Sequence, residues 1–173
     1  MSGHSTHNLL FLCTGNSCRS ILAECLLNRL GGGRFNAYSA GSHPAGGVHP
    51  AALALLEGLG YPTSELRSKS WDEFAAPRAP AMDFVVTVCD QAAGEQCPVW
   101  PGAPMIAHWG FPDPAKFVGS ESDTKAFFEA VYGDIERLLS VFVELPLDAM
   151  THAEIRQKMR ELEASAPEQR QSG

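Results

Sequence analysis

The sequence predicts an α/β fold in which a four-stranded parallel sheet is doubly wound, with helices on both faces, and is followed by a C-terminal helical extension. Short apolar runs alternate along the chain with segments whose apolar residues recur at helical spacing. This alternation is typical of parallel sheets, because right-handed crossovers place the helices on both faces. The 173 residues, 45% of them hydrophobic, suffice for one domain with a packed core.

In the first half of the chain, the ends of the helices carry recognisable signals. The glycine run 31–33 terminates an amphipathic segment, and Leu53, Leu56 and Leu59 give the next helix its apolar face. The elements expected here are a strand over 8–13, a helix over 21–30, a strand over 34–40, a helix over 50–59 and a short helix from near Ser70.

The second half contains the clearest strand, an uncharged β-rich run over 84–89 of the kind that is buried on both faces. Pro146 ends a long amphipathic helix, and Thr151 with Glu154 predicts a capping box for the last one. We expect strands over 84–89 and 105–109 and helices over 122–145 and 151–164. The expected organisation is a flexible N-terminus over 1–7, one domain over 8–145, and a helical extension with a tail over 146–173.

Composition excludes several classes of protein. The net charge of −7 disfavours a broad nucleic-acid footprint. No run approaches the roughly 18 apolar residues of a membrane span, and the N-terminus lacks the basic and apolar regions of a signal peptide. We therefore expect a cytoplasmic protein with neither nucleic acid nor membrane as a partner. We also expect a monomer. The five cysteines then indicate catalysis or redox chemistry rather than a disulfide framework.

The loop after the first strand predicts a thiolate that faces a tetrahedral oxyanion. Backbone N–H groups at a helix N-terminus bind anions, and Arg19 adds a planar fork of donors. Cys13 ends the strand below that position, and the helix N-terminus and Arg19 are expected to lower the pKa of its thiol. The alternative is a cysteine merely packed in a strand, which would not require the rest of the loop. The residues expected to bind the oxyanion are Thr14, Gly15, Asn16, Ser17, Cys18, Arg19 and Ser20.

Three further residues follow strands or flank a loop near the same edge of the sheet. Cys89 and Cys97 bracket a polar segment that can bring them together, which allows a relay in which Cys89 attacks Cys13 and Cys97 attacks Cys89. Two unrelated cysteines are the alternative, and the spacing does not suit structural zinc. Asp113, between two prolines, is the candidate general acid. Cys18 and Cys25 are interpreted as packed side chains.

These motifs together resemble the arsenate reductases built on the low-molecular-weight protein tyrosine phosphatase fold. The likeness covers residues 8–145. Ile21 and Ala115 depart from the proline and tyrosine usual in the phosphatase branch, which points away from phosphotyrosine. The motifs that carry the resemblance are Leu12-Cys13-Thr14-Gly15-Asn16-Ser17-Cys18-Arg19-Ser20, Tyr38-Ser39-Ala40-Gly41, Val85-Val86-Thr87-Val88-Cys89, Cys97-Pro98 and His108-Trp109-Gly110-Phe111-Pro112-Asp113-Pro114-Ala115.

The resemblance implies reduction of arsenate to arsenite, for arsenic detoxification. Cys13 attacks arsenate held by Arg19, Asp113 protonates the departing oxygen, and Cys89 displaces arsenite by forming a disulfide with Cys13. A Cys89–Cys97 disulfide is then presented to thioredoxin, with glutathione and glutaredoxin as the other possible donor. Hydrolysis of phosphomonoesters and a non-catalytic oxyanion or redox sensor stay open as alternatives. No cofactor is obligatory, but the resemblance implies a potassium ion behind the loop, with ligands Asn16, Glu24, Ser39 and Asp72.

Overall fold

The computed structural model describes residues 5–89, 94, 98 and 100–167. In that part of the chain a four-stranded parallel sheet has the strand order β2-β1-β3-β4, which confirms the predicted fold class. The strands are β1 (His7–Cys13), β2 (Phe35–Gly41), β3 (Phe84–Thr87) and β4 (Met105–His108). The helices are α1 (Arg19–Leu30), α2 (Pro50–Gly58), α3 (Asp72–Ala75), α4 (Glu121–Phe142) and α5 (His152–Ser165), with 3₁₀ turns at Pro114–Lys116 and Leu147–Ala149.

Strand β1 lies in the middle of the sheet and is buried on both faces. Leu9 and Phe11 belong to the larger hydrophobic cluster, which includes residues from α1, α2 and α4. Leu10 and Leu12 point the other way, into a smaller cluster that contains Phe74 of α3. An uncharged strand is required at this position, since neither face offers water to a charged side chain.

The register of the strands brings two of the cysteines to one edge of the sheet. Leu12 of β1 pairs with Thr87 of β3, so both strands reach their carboxyl ends together. The strand expected over 84–89 ends at Thr87, although the Val88 amide still donates to the Leu12 carbonyl at 2.9 Å. Cys89 therefore leaves the sheet directly beside the end of β1.

The C-terminal extension packs onto the same core as the rest of the chain. Thr151 and Glu154 form the expected capping box at the start of α5. Met159 and Leu162 of that helix are buried in the larger cluster, and the Trp109 indole N–H donates to the Met159 carbonyl at 3.3 Å. Residues 147–166 are thus packed against the domain that the sequence predicted to end at residue 145. None of the helices in the described part of the chain is long and apolar enough to cross a membrane.

Candidate active site

A cavity of about 400 Å³ opens at the carboxyl edge of the sheet, where the sequence predicts a site. Cys13, Arg19, Cys89 and Asp113 all line it, although they come from three separate stretches of the chain. Cys97, the other residue predicted for the relay, lies outside the described residues. The remaining lining residues are Thr14, Gly15, Ser17, Cys18, Ala115 and Lys116.

The backbone of the loop after β1 turns its N–H groups toward this cavity. The carbonyls of Thr14, Gly15 and Ser17 accept hydrogen bonds of 2.8–2.9 Å from amides of residues 43–49, behind the loop. In a trans peptide the N–H points opposite to the C=O, so the amides that follow these carbonyls face the other way. The loop is therefore arranged to bind an anion, as the sequence predicts.

Gly41 allows β2 to run close behind the loop. A Cβ atom at this position would overlap with the Thr14 carbonyl and crowd the Asn16 backbone. Asn16 itself adopts a left-handed conformation with φ of 47°, which asparagine tolerates better than most residues do. Its side chain is fully buried and hydrogen-bonded at both ends, which holds this unusual backbone in place.

The Cys13 thiol lies at the bottom of the cavity and is 4% exposed. The Ser20 hydroxyl is 3.0 Å from the sulfur, and the Asn16 amide donates to the sulfur at 3.2 Å. Ser20 also accepts from Asn16 Nδ2 at 2.8 Å, which directs the hydroxyl proton toward Cys13. The sulfur is thus surrounded by donors that stabilise the thiolate.

The pKa of Cys13 departs from the sequence-based expectation. Burial raises the pKa of this thiol above its ordinary value, and the neighbouring Cys89 raises it further. The Ser20 hydroxyl, the Arg19 charge and the Asn16 amide lower it, but the loss of hydration is the larger effect. Among these three, the Arg19 charge is expected from the sequence. The nucleophilic form of Cys13 therefore depends on every donor that the loop supplies.

Arg19 is held at the rim by two contacts and retains donor capacity. Its Nη1 donates to the Phe111 carbonyl at 2.9 Å, and its Nη2 lies 3.3 Å from Asp113 Oδ2. The buried Nε has no hydrogen-bond partner among the described residues. Asp113 Oδ1 accepts from the Ala115 amide at 3.0 Å, which orients the carboxyl group on its proline-bounded turn. An oxyanion in the cavity would supply the missing acceptor.

The other cysteines differ in their access to the cavity. Cys89 is 3% exposed, and its sulfur lies 3.7 Å from the Thr14 hydroxyl at the mouth of the loop. Burial and the Asp113 charge raise the pKa of Cys18 to about 11. Burial and Glu24 raise the pKa of Cys25, in the hydrophobic core, to about 12. Cys25 is thus packed in the core away from the cavity, whereas Cys18 lines the cavity and donates to Asp113 Oδ1 at 3.8 Å.

Behind the loop, two of the four residues expected to bind potassium, Glu24 and Ser39, contact each other, and Lys69, which the sequence analysis missed, connects them to Asn16. Ser39 donates to Glu24 at 2.9 Å, and Asn16 accepts from the backbone amide of Lys69 at 2.9 Å. The Lys69 ammonium lies 3.8 Å from Glu24 Oε1. Asp72, the fourth expected ligand, is instead exposed in the first turn of α3. No sequence motif marked Lys69, because its position depends on how residues 67–71 pack.

Comparison with known proteins identifies the family. The model of the low molecular weight phosphotyrosine protein phosphatase family matches residues 8–161. The chain belongs to this family. The match extends into α5, beyond the boundary at residue 145 that the sequence predicts.

Several relatives of this chain are named arsenate reductases. The one from Halalkalibacterium halodurans is 39% identical over 136 residues, which cover 79% of this chain and 94% of that protein. The crystal structure of the arsenate reductase from Archaeoglobus fulgidus superimposes with a TM-score of 0.62 at 26% identity, covering 79% of this chain and 99% of the other. The thioredoxin-dependent arsenate reductase of Corynebacterium glutamicum superimposes with a TM-score of 0.55 at 25% identity, covering 79% of this chain and 62% of the other.

Proposed function

We propose that this protein reduces arsenate to arsenite through a relay of thiols that begins at Cys13. The observation that carries the proposal is the presence of a second thiol, Cys89, in the wall of the cavity that contains Cys13. Hydrolysis of a phosphate ester needs one nucleophile, a cation and an acid, whereas reduction also needs a thiol that can accept the first one in a disulfide. The relatives named as arsenate reductases support the same reaction.

In the first step, the Cys13 thiolate attacks the arsenic of bound arsenate. The loop amides and the Arg19 guanidinium hold the oxyanion, and the unpartnered Arg19 Nε gains an acceptor. Asp113, 3.3 Å from Arg19 at the mouth of the cavity, gives a proton to the oxygen that leaves as water. An S–As bond replaces an As–O bond, and arsenic is still pentavalent.

In the second step, the Cys89 thiolate attacks the Cys13 sulfur. The S–As bond breaks, its electron pair passes to arsenic, and arsenite leaves as a trivalent product. The two electrons come from the thiols of Cys13 and Cys89, which are joined in a disulfide. Both residues line one cavity and both are thiols in this structure.

In the third step, Cys97 attacks Cys89 and releases Cys13 for another turnover. The Cys89–Cys97 disulfide is then reduced by an external dithiol, for which thioredoxin is the candidate and glutaredoxin with glutathione the alternative. A relative with a solved structure is thioredoxin-dependent, which favours thioredoxin. This step rests on the sequence, since Cys97 lies outside the described residues.

The relay is tested by counting the arsenite formed per protein chain. We expect Cys89→Ser to form none, because the S–As bond is then never reduced. We expect Cys97→Ser to form a single equivalent and to stop with a Cys13–Cys89 disulfide, detectable by mass spectrometry. Cys25→Ala, in the core and away from the cavity, is the matched control and should turn over continuously with thioredoxin. Continuous turnover by Cys89→Ser would overturn the relay.

Hydrolysis of phosphomonoesters is the second candidate, because Cys13, Arg19 and Asp113 form the set of groups that it requires. Ala115 lines the mouth of the cavity and offers no aromatic ring against which a phenyl phosphate could stack. We therefore expect slow hydrolysis of p-nitrophenyl phosphate. Hydrolysis by Cys89→Ser should match that of the parent, since this reaction does not use Cys89. Hydrolysis faster than arsenate reduction would instead favour the phosphatase.

A further inference from the structure

Residues 67–71 form a short edge segment that runs beside the end of β2 and supports the active-site loop from behind. The Gly41 amide donates to the Lys69 carbonyl at 2.9 Å, and the Trp71 amide donates to the Gly41 carbonyl at 2.9 Å. The Ser68 hydroxyl donates to the Gly15 carbonyl at 2.9 Å. These bonds fix the backbone of the segment against both the sheet and the loop.

The Lys69 side chain is directed into a polar pocket behind the loop. Its ammonium donates to the Arg67 carbonyl at 3.0 Å and to the Ser39 hydroxyl at 3.4 Å. It also lies 3.8 Å from Glu24 Oε1, which accepts from Ser39 at 2.9 Å. The side chains of Lys69 and Glu24 are only 10% and 15% exposed, so their charges offset each other with little help from water.

A continuous chain of hydrogen bonds connects Lys69 to the nucleophile. The Lys69 amide donates to Asn16 Oδ1 at 2.9 Å, and Asn16 Nδ2 donates to Ser20 at 2.8 Å. Ser20 lies 3.0 Å from the Cys13 sulfur. A displacement of residue 69 would therefore disturb the left-handed backbone at Asn16 and the hydrogen-bond donors around Cys13.

We propose that the Lys69 ammonium replaces a bound monovalent cation behind the loop and that Lys69 is a positioning residue for the active site. The ammonium group and the potassium ion have nearly the same radius, carry one positive charge and both take oxygen ligands. The residues expected to bind potassium do not fit a free ion here, because the Lys69 ammonium already contacts Glu24 and Ser39. The third residue, Asn16, already accepts a hydrogen bond from the Lys69 backbone amide through its Oδ1 atom. A tethered cation needs no ion from solution, so the enzyme does not depend on potassium.

The competing interpretation is that Lys69 and Glu24 form an ion pair that only adds stability. The two interpretations differ in whether rescue of a truncated Lys69 depends on the size of the added cation. If Lys69 stands in for an ion, its truncation opens a pocket that potassium or free ammonium can refill. A bulky cation such as choline cannot enter it. An ion pair that merely adds stability would give the same loss in every salt of equal ionic strength.

The test compares the parent with Lys69→Ala in chloride salts of potassium, ammonium and choline at equal ionic strength. We expect the melting temperature of the parent to be the same in all three. Lys69→Ala should melt about 5 °C or more below the parent in choline chloride, and potassium or ammonium should restore most of that loss. Its kcat/KM for arsenate should fall about 10- to 100-fold and recover with the same cations.

Two further variants control for changes in packing and charge. Lys69→Met fills the pocket without a charge and should be destabilised in every salt, with no rescue. Lys158→Ala removes a lysine that is paired with Glu161 at the surface and should melt like the parent. If Lys69→Ala does not fold in any salt, the inference is tested on the parent alone, by comparing its melting temperature in potassium chloride with that in choline chloride.

The kinetic measurement rests on the proposed arsenate reduction, whereas the thermal measurement needs no substrate. Failure of the proposed function would therefore leave the cation-selective thermal rescue intact. The inference itself is overturned if potassium raises the melting temperature of the parent above its value in choline chloride. It is also overturned if Lys69→Ala and Lys69→Met respond alike to all three salts.

Discussion

A largely buried cationic side chain lies on each side of the loop over residues 13–20. The two cations differ in whether the protein supplies all of their hydrogen-bond partners. On the cavity side, Arg19 contacts Phe111 and Asp113, yet its Nε has no partner among the described residues. On the side behind the loop, the Lys69 ammonium has oxygen neighbours at 3.0, 3.4 and 3.8 Å. The cavity side retains hydrogen-bonding capacity for a ligand, whereas the side behind the loop is satisfied by the protein alone.

This difference indicates that the cavity side of the loop binds the ligand, whereas the cluster behind the loop holds the loop in place. Buried polar groups in folded proteins are nearly always hydrogen-bonded, so an unpartnered donor at a cavity marks a place where a ligand binds. A fully bonded cluster keeps its geometry with or without a ligand. The four predictions below test this division in order of expected effect: three remove groups on the cavity side, and the last removes the link between the two sides.

The largest effect is expected at Cys13, the only residue to which we assign the first bond with arsenic. Cys13→Ser should lower arsenite formation at least about 10⁴-fold, because a serine hydroxyl ionises far less readily than a thiol and cannot form the disulfide. The measurement is arsenite released per minute with thioredoxin present. Arsenite formation within tenfold of the parent would show that another thiol starts the reaction.

The next largest effect is expected at Asp113, the proposed acid. Asp113→Asn cannot donate the proton and should lower kcat by about 10²- to 10⁴-fold, with little change in KM for arsenate. Asp134→Asn changes a half-buried aspartate that pairs with Arg137 outside the cavity and should leave kcat unchanged. A rise in KM with an unchanged kcat would assign Asp113 to binding instead of proton transfer.

A smaller effect is expected at Arg19, where a conservative change retains the charge. Arg19→Lys loses the planar fork that contacts Phe111 and Asp113, and kcat/KM for arsenate should fall about 10²- to 10³-fold. Arg137→Lys, whose side chain is 70% exposed, is the matched control. Equal kinetics for Arg19→Lys and the parent would mean that charge alone, without the fork, binds the oxyanion.

The smallest effect is expected at Ser20, which connects Asn16 to the Cys13 sulfur. Its hydroxyl stabilises the thiolate and lowers the pKa of Cys13, so Ser20→Ala should raise that pKa further. The alkylation rate of Cys13 by iodoacetamide, followed against pH by mass spectrometry, should shift to higher pH. Ser165→Ala, which removes a hydroxyl bonded within α5, should not shift the curve. A shift to lower pH would contradict the assigned direction of the hydrogen bond.

Local sequence patterns predicted most of the fold, since each element depends on its own residues. The capping box at Thr151 and Glu154 is confirmed, because both partners lie within one turn of the same helix. The length of β3 was overestimated at its carboxyl end: Val88 and Cys89 have strand-like residue types, but the chain leaves the sheet after Thr87. Side-chain type alone cannot indicate where pairing with a neighbouring strand stops.

The contacts behind the active-site loop could not be predicted from local sequence patterns. The family resemblance implied Asp72 as a potassium ligand, and the structure places this residue at an exposed position in the first turn of α3. Lys69, which contacts Glu24 and Ser39, carries no motif. The expected lowering of the Cys13 pKa was also wrong in direction. The local donors are present, but the burial that opposes them comes from packing of the whole domain.

The sequence by itself determined the order of strands and helices, the anion-binding loop between β1 and α1, and the positions of the nucleophile and its arginine. These features follow from residue types within about ten positions of one another, where backbone preference and helix geometry are decisive. The sequence also predicted that Cys89 and Asp113 lie at the same edge of the sheet as Cys13, but only the tertiary structure gave the contacts within that cavity and the position of Lys69 in the pocket behind the loop. Those contacts join residues far apart in the chain, and only the register and packing of the folded sheet bring them within bonding distance.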